Sequence, residues 1–181
     1  EIVQNSLPDL IISDVMMPRM DGYKLCETLK YDTRTSHIPI ILLTAKAETE
    51  NKMMGLETGA DDYIIKPFEM SELKVRIRNL IEHRKRLHNH LKTSGLIELE
   101  ESSITSVDKK FLHKVYDLIN QNISSSNFNV EALSQNIGLS RSVLHKKLVS
   151  LIGEPPVELI RRIRLAKSAE LIVKKFGNLS E

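Results

Sequence analysis

Three short apolar runs in the first half of the chain place the strongest constraint on its fold. They are continuous rather than alternating, which is typical of parallel strands covered on both faces of a sheet. Helix-compatible stretches lie between and after them, and this alternation predicts an α/β fold with a parallel sheet. The predicted strands are residues 10–13, 40–43 and 63–65, and the predicted helices are residues 23–30, 48–57 and 71 to at least 81.

From Val107 onward the pattern is helical throughout. Asn129 can cap a helix over residues 130–136, and Gly138 supplies a tight turn after it. Ser140 can cap a further helix that ends near residue 151. Because proline is favoured at a first helical position, the pair Pro155-Pro156 is expected to open a long last helix. The second half is therefore predicted to be an all-α unit.

Composition and charge narrow the class of protein. The longest apolar run, residues 38–43, is too short to span a bilayer, and no secretory signal is present at Glu1. A single cysteine, Cys26, excludes an internal disulfide framework and predicts a cytoplasmic protein with Cys26 as a small buried residue.

The two halves of the chain differ in charge. Residues 1–80 hold 10 Lys and Arg against 13 Asp and Glu, whereas residues 81–181 hold 16 Lys and Arg against 11 Asp and Glu. The basic second half fits either a surface that binds a polyanion or ordinary solvated surface.

A carboxylate, a hydroxyl and an ammonium group stand where the three predicted strands end. These are Asp14, Thr44 and Lys66, and the carboxyl ends of parallel strands meet at one edge of a sheet. A phosphoryl group could be accepted there by Asp14, with Lys66 and Thr44 neutralising and hydrogen-bonding its oxygens. Each residue alone also has a structural interpretation: Asp14 as a turn former, Thr44 as a strand former and Lys66 as a surface lysine.

Four ordered motifs in the first half are more specific than these residues taken singly. They are Asp14-Val-Met-Met-Pro18 with Asp21-Gly22, Leu43-Thr44-Ala45, Gly59-Ala-Asp-Asp-Tyr63 and Lys66-Pro-Phe68. With these motifs, residues 7 to about 84 resemble the receiver domain of bacterial two-component response regulators. The resemblance implies a flavodoxin-like, doubly wound parallel sheet that is incomplete in this chain.

The resemblance also implies a role for each matching residue. Asp14 would accept phosphate from a histidine kinase domain, Lys66 would pair with it, and Thr44 would follow the phosphoryl group. Tyr63 would be the aromatic switch residue. Mg²⁺ would be the cofactor, with Asp14 and the backbone carbonyl of Met16 among its ligands.

The sequence departs from the family pattern at its start. A receiver domain opens with a strand that ends in two acidic residues that hold Mg²⁺, and the resemblance begins after that point. Asp61 and Asp62 are an acidic pair, but they precede the third strand and lie at its opposite end. We therefore expect an incomplete Mg²⁺ site, inefficient phosphorylation of the chain as written, and an exposed apolar edge on the first strand that favours self-association.

Residues 132–148, with Gly138 at the bend, have the pattern of a helix-turn-helix. Leu144, Leu148 and Leu151 share the face expected to point to the core, and a second face carries polar and basic residues. Such a face can approach base edges in the major groove, and the arginines of the last helix can contact phosphates. The predicted DNA-binding residues are Arg141, Ser142, His145, Lys146, Arg161, Arg162 and Arg164.

Three segments carry a second resemblance: Asn129-Val-Glu-Ala-Leu-Ser, Gly138-Leu-Ser-Arg-Ser-Val-Leu-His-Lys-Lys-Leu and Gly153-Glu-Pro-Pro-Val-Glu-Leu-Ile-Arg-Arg-Ile-Arg-Leu. With them, residues 106 to about 176 resemble the first half of an AraC-type DNA-binding domain, namely its first helix-turn-helix and connecting helix. We therefore predict a receiver lacking its first strands over residues 1–83, a linker over 84–106 and this DNA-binding domain over 107–181. Its affinity for DNA is expected to be low and salt-sensitive.

This order of domains is similar to the C-terminal part of hybrid two-component sensors, in which sensor, kinase and regulator share one membrane-bound chain. Our first hypothesis is a phosphorylation-controlled DNA-binding transcription regulator, not an enzyme, at the cytoplasmic face of the inner membrane if it belongs to such a hybrid. Its partners would be a histidine kinase domain and double-stranded DNA, with no small-molecule substrate. The alternative is a phosphate-sink or protein-interaction module whose helical half binds a kinase or another protein. The sequence leaves open whether the chain forms a homodimer.

Overall fold

A computed structural model describes residues 7–45, 59–94 and 104–177 of the chain. The elements within these ranges are β1 (Ile11–Asp14), α1 (Gly22–Tyr31), β2 (Ile40–Ala45), β3 (Asp62–Lys66), α2 (Met70–Ser94), α3 (Ser106–Gln121), α4 (Val130–Ile137), α5 (Arg141–Ile152) and α6 (Pro156–Gly177). The alternating first half and the all-helical second half are as predicted. The predicted helix over residues 48–57 lies outside the described residues.

The three strands form a parallel sheet in the order β1-β2-β3. Ile40, Ile41 and Leu42 of β2 are completely buried, as expected for a strand that is covered on both faces. In the described part of the chain β1 is an edge strand, and Ile12 on it is 41% exposed. This agrees with the expected exposed apolar edge, while self-association stays a prediction.

Helix α1 packs on one face of this sheet. Asp21 caps the helix by accepting a hydrogen bond from the Lys24 backbone N–H at 2.7 Å. Cys26 is fully buried, as predicted, in a cluster that includes Val15 and Leu29. The strand-to-helix loop after Asp14 is therefore fixed at both of its ends, by β1 and by the capped start of α1.

The helical half, residues 104–177, has its own apolar core. Asn129 and Ser140 cap α4 and α5, as predicted, and Gly138 makes the predicted turn between them with a left-handed φ of 82°. The last helix begins at Pro156, within the predicted pair Pro155-Pro156. The buried apolar side chains at the centre of this core are Leu112, Val115, Ile119, Leu133, Leu144, Leu148 and Leu159.

Helix α2 continues beyond Ile81, the minimum end predicted for it, to Ser94 and so includes the first part of the segment 84–106 assigned as linker. The first glycine after Met70 is Gly95, and no proline interrupts the segment between them, so nothing in the sequence breaks the helix earlier. Arg84 on this helix also contacts both halves of the molecule, through the His37 carbonyl oxygen and the Ser150 hydroxyl. None of the described helices combines the length and the apolar character needed to cross a membrane.

Candidate functional site

The carboxyl edge of the sheet brings Asp14 and Lys66 together. Asp14 is the last residue of β1 and Lys66 the last of β3, and the Lys66 ammonium group donates a short hydrogen bond to Asp14 Oδ2. The backbone N–H of Met16 donates to Asp14 Oδ1 at 3.1 Å. The hydrogen bond from Lys66, followed by that from Met16, holds the pKa of Asp14 below its ordinary value. The carboxylate is thus ionised, partly exposed and positioned by two donors.

The backbone around Asp14 is held by close packing against Gly22. The Gly22 N–H donates to the Val15 carbonyl oxygen at 2.9 Å, and the Val15 N–H donates to the Leu43 carbonyl oxygen at 2.9 Å. A Cβ atom on Gly22 would lie 2.9 Å from Val15 Cα and closer still to the carbonyl oxygen of Asp14. This explains why glycine follows Asp21 in the motif, a role that the sequence pattern did not reveal.

Thr44 and Tyr63 occupy different positions relative to the Asp14–Lys66 pair. Thr44 lies on β2 between the residues that pair with Asp14 and with Lys66, and its buried hydroxyl donates to the Ala45 carbonyl oxygen at 3.4 Å. Tyr63 precedes Lys66 by three residues, roughly 10 Å along the strand, and packs against the apolar cluster under α1. Thr44 therefore borders the edge, whereas Tyr63 lies further back in the sheet.

The expected Mg²⁺ ligands are only partly present. Asp14 supplies one carboxylate, but one of its oxygens bonds Lys66 and the other the Met16 N–H. No cluster of three or more His, Cys, Asp or Glu side chains able to hold a metal occurs in the described ranges. The described residues do not by themselves fit a Mg²⁺ site, because that ion prefers several oxygen ligands in octahedral geometry.

The predicted faces of α5 are confirmed by burial. Leu144, Leu148 and Leu151 are buried. The opposite face exposes residues predicted to bind DNA, namely Arg141, Ser142, His145 and Lys146. We call these four residues the α5 basic face.

Two members of the α5 basic face have intramolecular partners. Arg141 forms an exposed ion pair with Glu131 at 3.2 Å. Lys146 donates to the backbone carbonyl oxygen of Leu7, in the first half of the chain, at 3.2 Å. The Lys146 contact therefore links this face to the sheet-containing half.

The three arginines predicted on α6 differ in their surroundings. Arg161 is exposed. Arg162 forms an ion pair with Glu154 at 3.0 Å, and Arg164 donates to the carbonyl oxygen of Phe128 at 3.0 Å. Arg162 and Arg164 thus hold α6 on the rest of the helical half, and their contact with DNA stays a prediction.

Lys147 is the residue of α5 that sequence reasoning did not place. Its side chain is completely buried, and its ammonium group contacts Asp108 of α3 and, at 2.8 Å, the Ser36 hydroxyl of the first half. One signal was available: Lys147 stands three residues after Leu144 and four before Leu151, on the apolar stripe of the helix.

Residues 1–78 match the family model described as response regulator receiver domain. This part of the chain is a receiver domain. The finding confirms the resemblance drawn from the motifs around Asp14, Thr44 and Lys66. It also agrees with the parallel sheet and its order of elements.

The chain is similar to several named proteins. It is 40% identical, over all 181 residues, to histidine kinase P4 of Formosa agariphila, and covers 13% of that protein. It is 38% identical over 104 residues, 58% of this chain, to the DNA-binding dual master transcriptional regulator RpaA of Synechocystis, and covers 42% of it. A solved structure, the receiver domain of a signal transduction histidine kinase from Syntrophus aciditrophicus, is 47% identical over 44% of this chain and 60% of that one, with a TM-score of 0.40. The chain thus spans less than half the length of histidine kinase P4 and less than half the length of RpaA.

Receiver domains and transcriptional regulators are not enzymes. The receiver-domain match and the relatives named as transcriptional regulators agree with the prediction that this chain is not itself an enzyme.

Proposed function

We propose that the chain is a phosphorylation-controlled, DNA-binding transcription regulator of a two-component phosphorelay, with Asp14 as the phosphoacceptor. The observation that carries the proposal is the contact between Lys66 and Asp14 at the carboxyl edge of the receiver sheet. A cation beside an ionised, partly exposed carboxylate supplies two of the features that acceptance of a phosphoryl group requires.

In the proposed reaction a phosphoryl group passes from a kinase histidine to Asp14. An oxygen of Asp14 attacks the phosphorus of a phosphohistidine on a kinase, the P–N bond breaks as the P–O bond forms, and the imidazole leaves with the electron pair and takes up a proton. Lys66 offsets the negative charge of the incoming phosphoryl group. Thr44, at the border of the same edge, has a hydroxyl that can donate to one of its oxygens once it turns from the Ala45 carbonyl.

The helical half is proposed to bind DNA as the first helix-turn-helix and the connecting helix of an AraC-type domain. Helix α4, the left-handed Gly138 and the Ser140-capped α5 support this assignment, since a capped second helix after a tight turn is the element that enters the major groove. The α5 basic face supplies donors for base edges, and Arg161 supplies a phosphate contact.

We further propose that the chain is part of a hybrid sensor in which kinase and regulator belong to one polypeptide. The match to histidine kinase P4 along the whole chain supports this arrangement. The chain would then act at the cytoplasmic face of the inner membrane, with the kinase domain of its own protein as phosphodonor.

DNA binding can be tested by selecting duplexes from a random library with the full chain and titrating the selected duplex by fluorescence anisotropy at several salt concentrations. We expect a selected sequence, and an affinity that falls as salt rises. The double variant Arg141→Ala plus Lys146→Ala should lose both affinity and sequence preference, by about tenfold or more, since contacts to bases are removed.

The matched control removes the same charge elsewhere. Lys74→Ala plus Arg78→Ala takes two exposed basic side chains from α2 and should leave the affinity nearly unchanged. Binding without sequence preference, or equal losses in the two double variants, would overturn the DNA-binding proposal and favour a protein partner.

A further inference from the structure

The receiver domain and the helical half share a buried polar network. Ser36, in the loop before β2, donates its hydroxyl hydrogen to Asp108 Oδ1 at 2.7 Å and accepts a hydrogen bond from Lys147 Nζ at 2.8 Å. Thr105 completes the network by donating to Asp108 Oδ2 at 2.9 Å. Ser36, Asp108 and Lys147 are 1%, 2% and 0% exposed. Water is therefore excluded from all three groups, and the receiver supplies one of them.

A second contact spans the same boundary. The Arg84 guanidinium donates to the His37 carbonyl oxygen, next to Ser36, and to the Ser150 hydroxyl of α5 at 2.7 Å. Helices α2 and α5 pack against each other along this line. Helix α5 is thus held at two neighbouring positions, at Lys147 by Ser36 of the receiver and at Ser150 by Arg84 of α2.

These contacts turn part of the α5 basic face toward the receiver. His145, Lys146 and Val149 line a groove whose other wall is formed by receiver residues, including the segment 7–9 and the 80–81 region of α2. Lys146 already donates to the Leu7 carbonyl oxygen across it. A recognition helix must insert into a major groove about 12 Å wide, so a wall on this side blocks the approach of a duplex.

We propose that Ser36, Lys147 and Asp108 form an interdomain latch that keeps α5 closed against the receiver, and that DNA binding requires the latch to open. The effect of the latch on DNA binding rests on the proposed function. The latch itself is a set of contacts between residues that the structure describes. Lys147 is then a coupling residue rather than a DNA contact, although it directly follows Lys146 of the α5 basic face in the sequence.

The closed state depends on Ser36 in a simple way. In the closed state of Ser36→Ala, the buried Lys147 ammonium has one hydrogen-bond acceptor fewer. In the open state, water takes the place of the Ser36 hydroxyl, so the substitution costs less there. The variant should therefore shift the equilibrium toward the open state without removing the Asp108–Lys147 pair, which lies entirely in the helical half.

The opening can be measured without DNA by acylating lysines with an amine-reactive ester and mapping the products by mass spectrometry. In Ser36→Ala we expect Lys147 to react about tenfold faster than in the wild type, the change produced by losing a bond to a charged group. Lys114, exposed on α3, serves as the internal reference for reagent activity, and its rate should not change. An unchanged far-ultraviolet circular dichroism spectrum of the variant separates local opening from global unfolding.

Two further variants separate the latch from general loosening. Ser71→Ala removes an exposed serine from α2 and should leave Lys147 unreactive. Ser150→Ala removes the second contact and should raise Lys147 reactivity in the same direction as Ser36→Ala. Unchanged Lys147 reactivity in Ser36→Ala, or an equal rise in Ser71→Ala, would overturn the latch.

The same variants then test the link to DNA. Ser36→Ala should bind the selected duplex up to about tenfold more tightly than the wild type, because a larger fraction of the protein is competent to bind. A rise in Lys147 reactivity without any gain in affinity would overturn the gating role while leaving the contact in place. If neither protein binds any duplex, the proposed function fails, and the acylation result still decides whether the latch exists.

Discussion

Lys147 of α5 and Asp108 of α3 form an ion pair although their side chains are only 0% and 3% exposed. The Lys147 ammonium group also lies 4.8 Å from the centre of the Phe111 ring. Burial tends to raise the pKa of Asp108, but the charge and hydrogen bond of Lys147 outweigh it, so the pKa stays below the ordinary value. Burial lowers the pKa of Lys147, and the charge and hydrogen bond of Asp108 oppose that shift, so each group is the main compensation for the burial of the other.

Removing one member of this pair should destabilise the protein strongly. Lys147→Met leaves the Asp108 carboxylate buried without its cation, and we expect a loss of about 3–5 kcal/mol in the free energy of unfolding, measured by urea denaturation. The double variant Lys147→Met plus Asp108→Leu should lose clearly less than the two single variants together. Lys24→Met breaks the exposed pair with Glu27 and should change nothing measurable. Additive losses in the double variant would contradict this account of the pair.

Gly22 should tolerate no side chain, because its backbone lies against the strand end that carries Asp14. We expect Gly22→Ala to lower the free energy of unfolding by about 1–3 kcal/mol, since the added methyl group meets backbone atoms that cannot move independently. Gly138→Ala is the comparison. No atom lies within 4 Å of its Cβ position, so only the left-handed φ opposes it, at a cost of about 1 kcal/mol. Equal losses would show that Gly22 is not constrained by packing.

The Lys66–Asp14 contact predicts a change in the titration of Asp14. Lys66→Met should raise the pKa of Asp14 toward its ordinary value, because the hydrogen bond from Lys66 is the largest cause of the lowered pKa. The side-chain carboxyl ¹³C shift, followed by NMR during an acid titration, measures this directly. Asp32, whose pKa is lowered by Arg34, is the internal control and should titrate as in the wild type. No shift at Asp14 would mean that Lys66 does not hold the carboxylate in solution.

The candidate site was readable from the sequence because its signals are local. Asp14 and Lys66 each end a short apolar run, so the parallel register that joins them follows from the order of strands alone. The caps at Asn129 and Ser140 are equally local, since each side chain bonds a backbone N–H three residues on.

The interdomain contacts could not be predicted in the same way. Lys147 is 39 residues from Asp108 and 111 residues from Ser36, and no periodic pattern connects positions so far apart. A lysine within His145-Lys-Lys147 also has the composition of a solvated basic face. The apolar stripe places Lys147 on the core side of α5, but only the packing of α5 on α3 and on the receiver shows which groups its ammonium contacts.

His37 should make the stability of the protein depend on pH. Burial, followed by the nearby charge of Lys147, lowers the pKa of His37 to about 3, and its Nδ1 atom has no hydrogen-bond partner among the described residues. Asp108 acts in the opposite direction, while Arg84 and Lys30 add to the lowering. Because the folded state keeps His37 neutral, its contribution to stability is full above the unfolded pKa of about 6.5 and decreases as pH falls below it.

The expected loss approaches about 1.4 kcal/mol for each pH unit below that value. Urea denaturation at a series of pH values from neutral to moderately acidic measures it, and His37→Gln supplies the reference. The difference in the free energy of unfolding between wild type and variant should shrink as pH falls. A constant difference would show that His37 is protonated or solvated in the folded protein.

Phosphorylation of the 181-residue chain by acetyl phosphate and Mg²⁺ should remain well below one phosphoryl group per molecule. The described residues contribute a single carboxylate to this edge and no cluster of three metal-ligating side chains, so the charge of an incoming phosphoryl group is offset mainly by Lys66. Intact-mass measurement of the acid-labile adduct gives the stoichiometry. Asp14→Asn should remove the adduct that does form, whereas Asp21→Asn, which keeps the helix cap, should not. A stoichiometric adduct on Asp14 would contradict this expectation, and an adduct that survives Asp14→Asn would place the phosphoacceptor elsewhere.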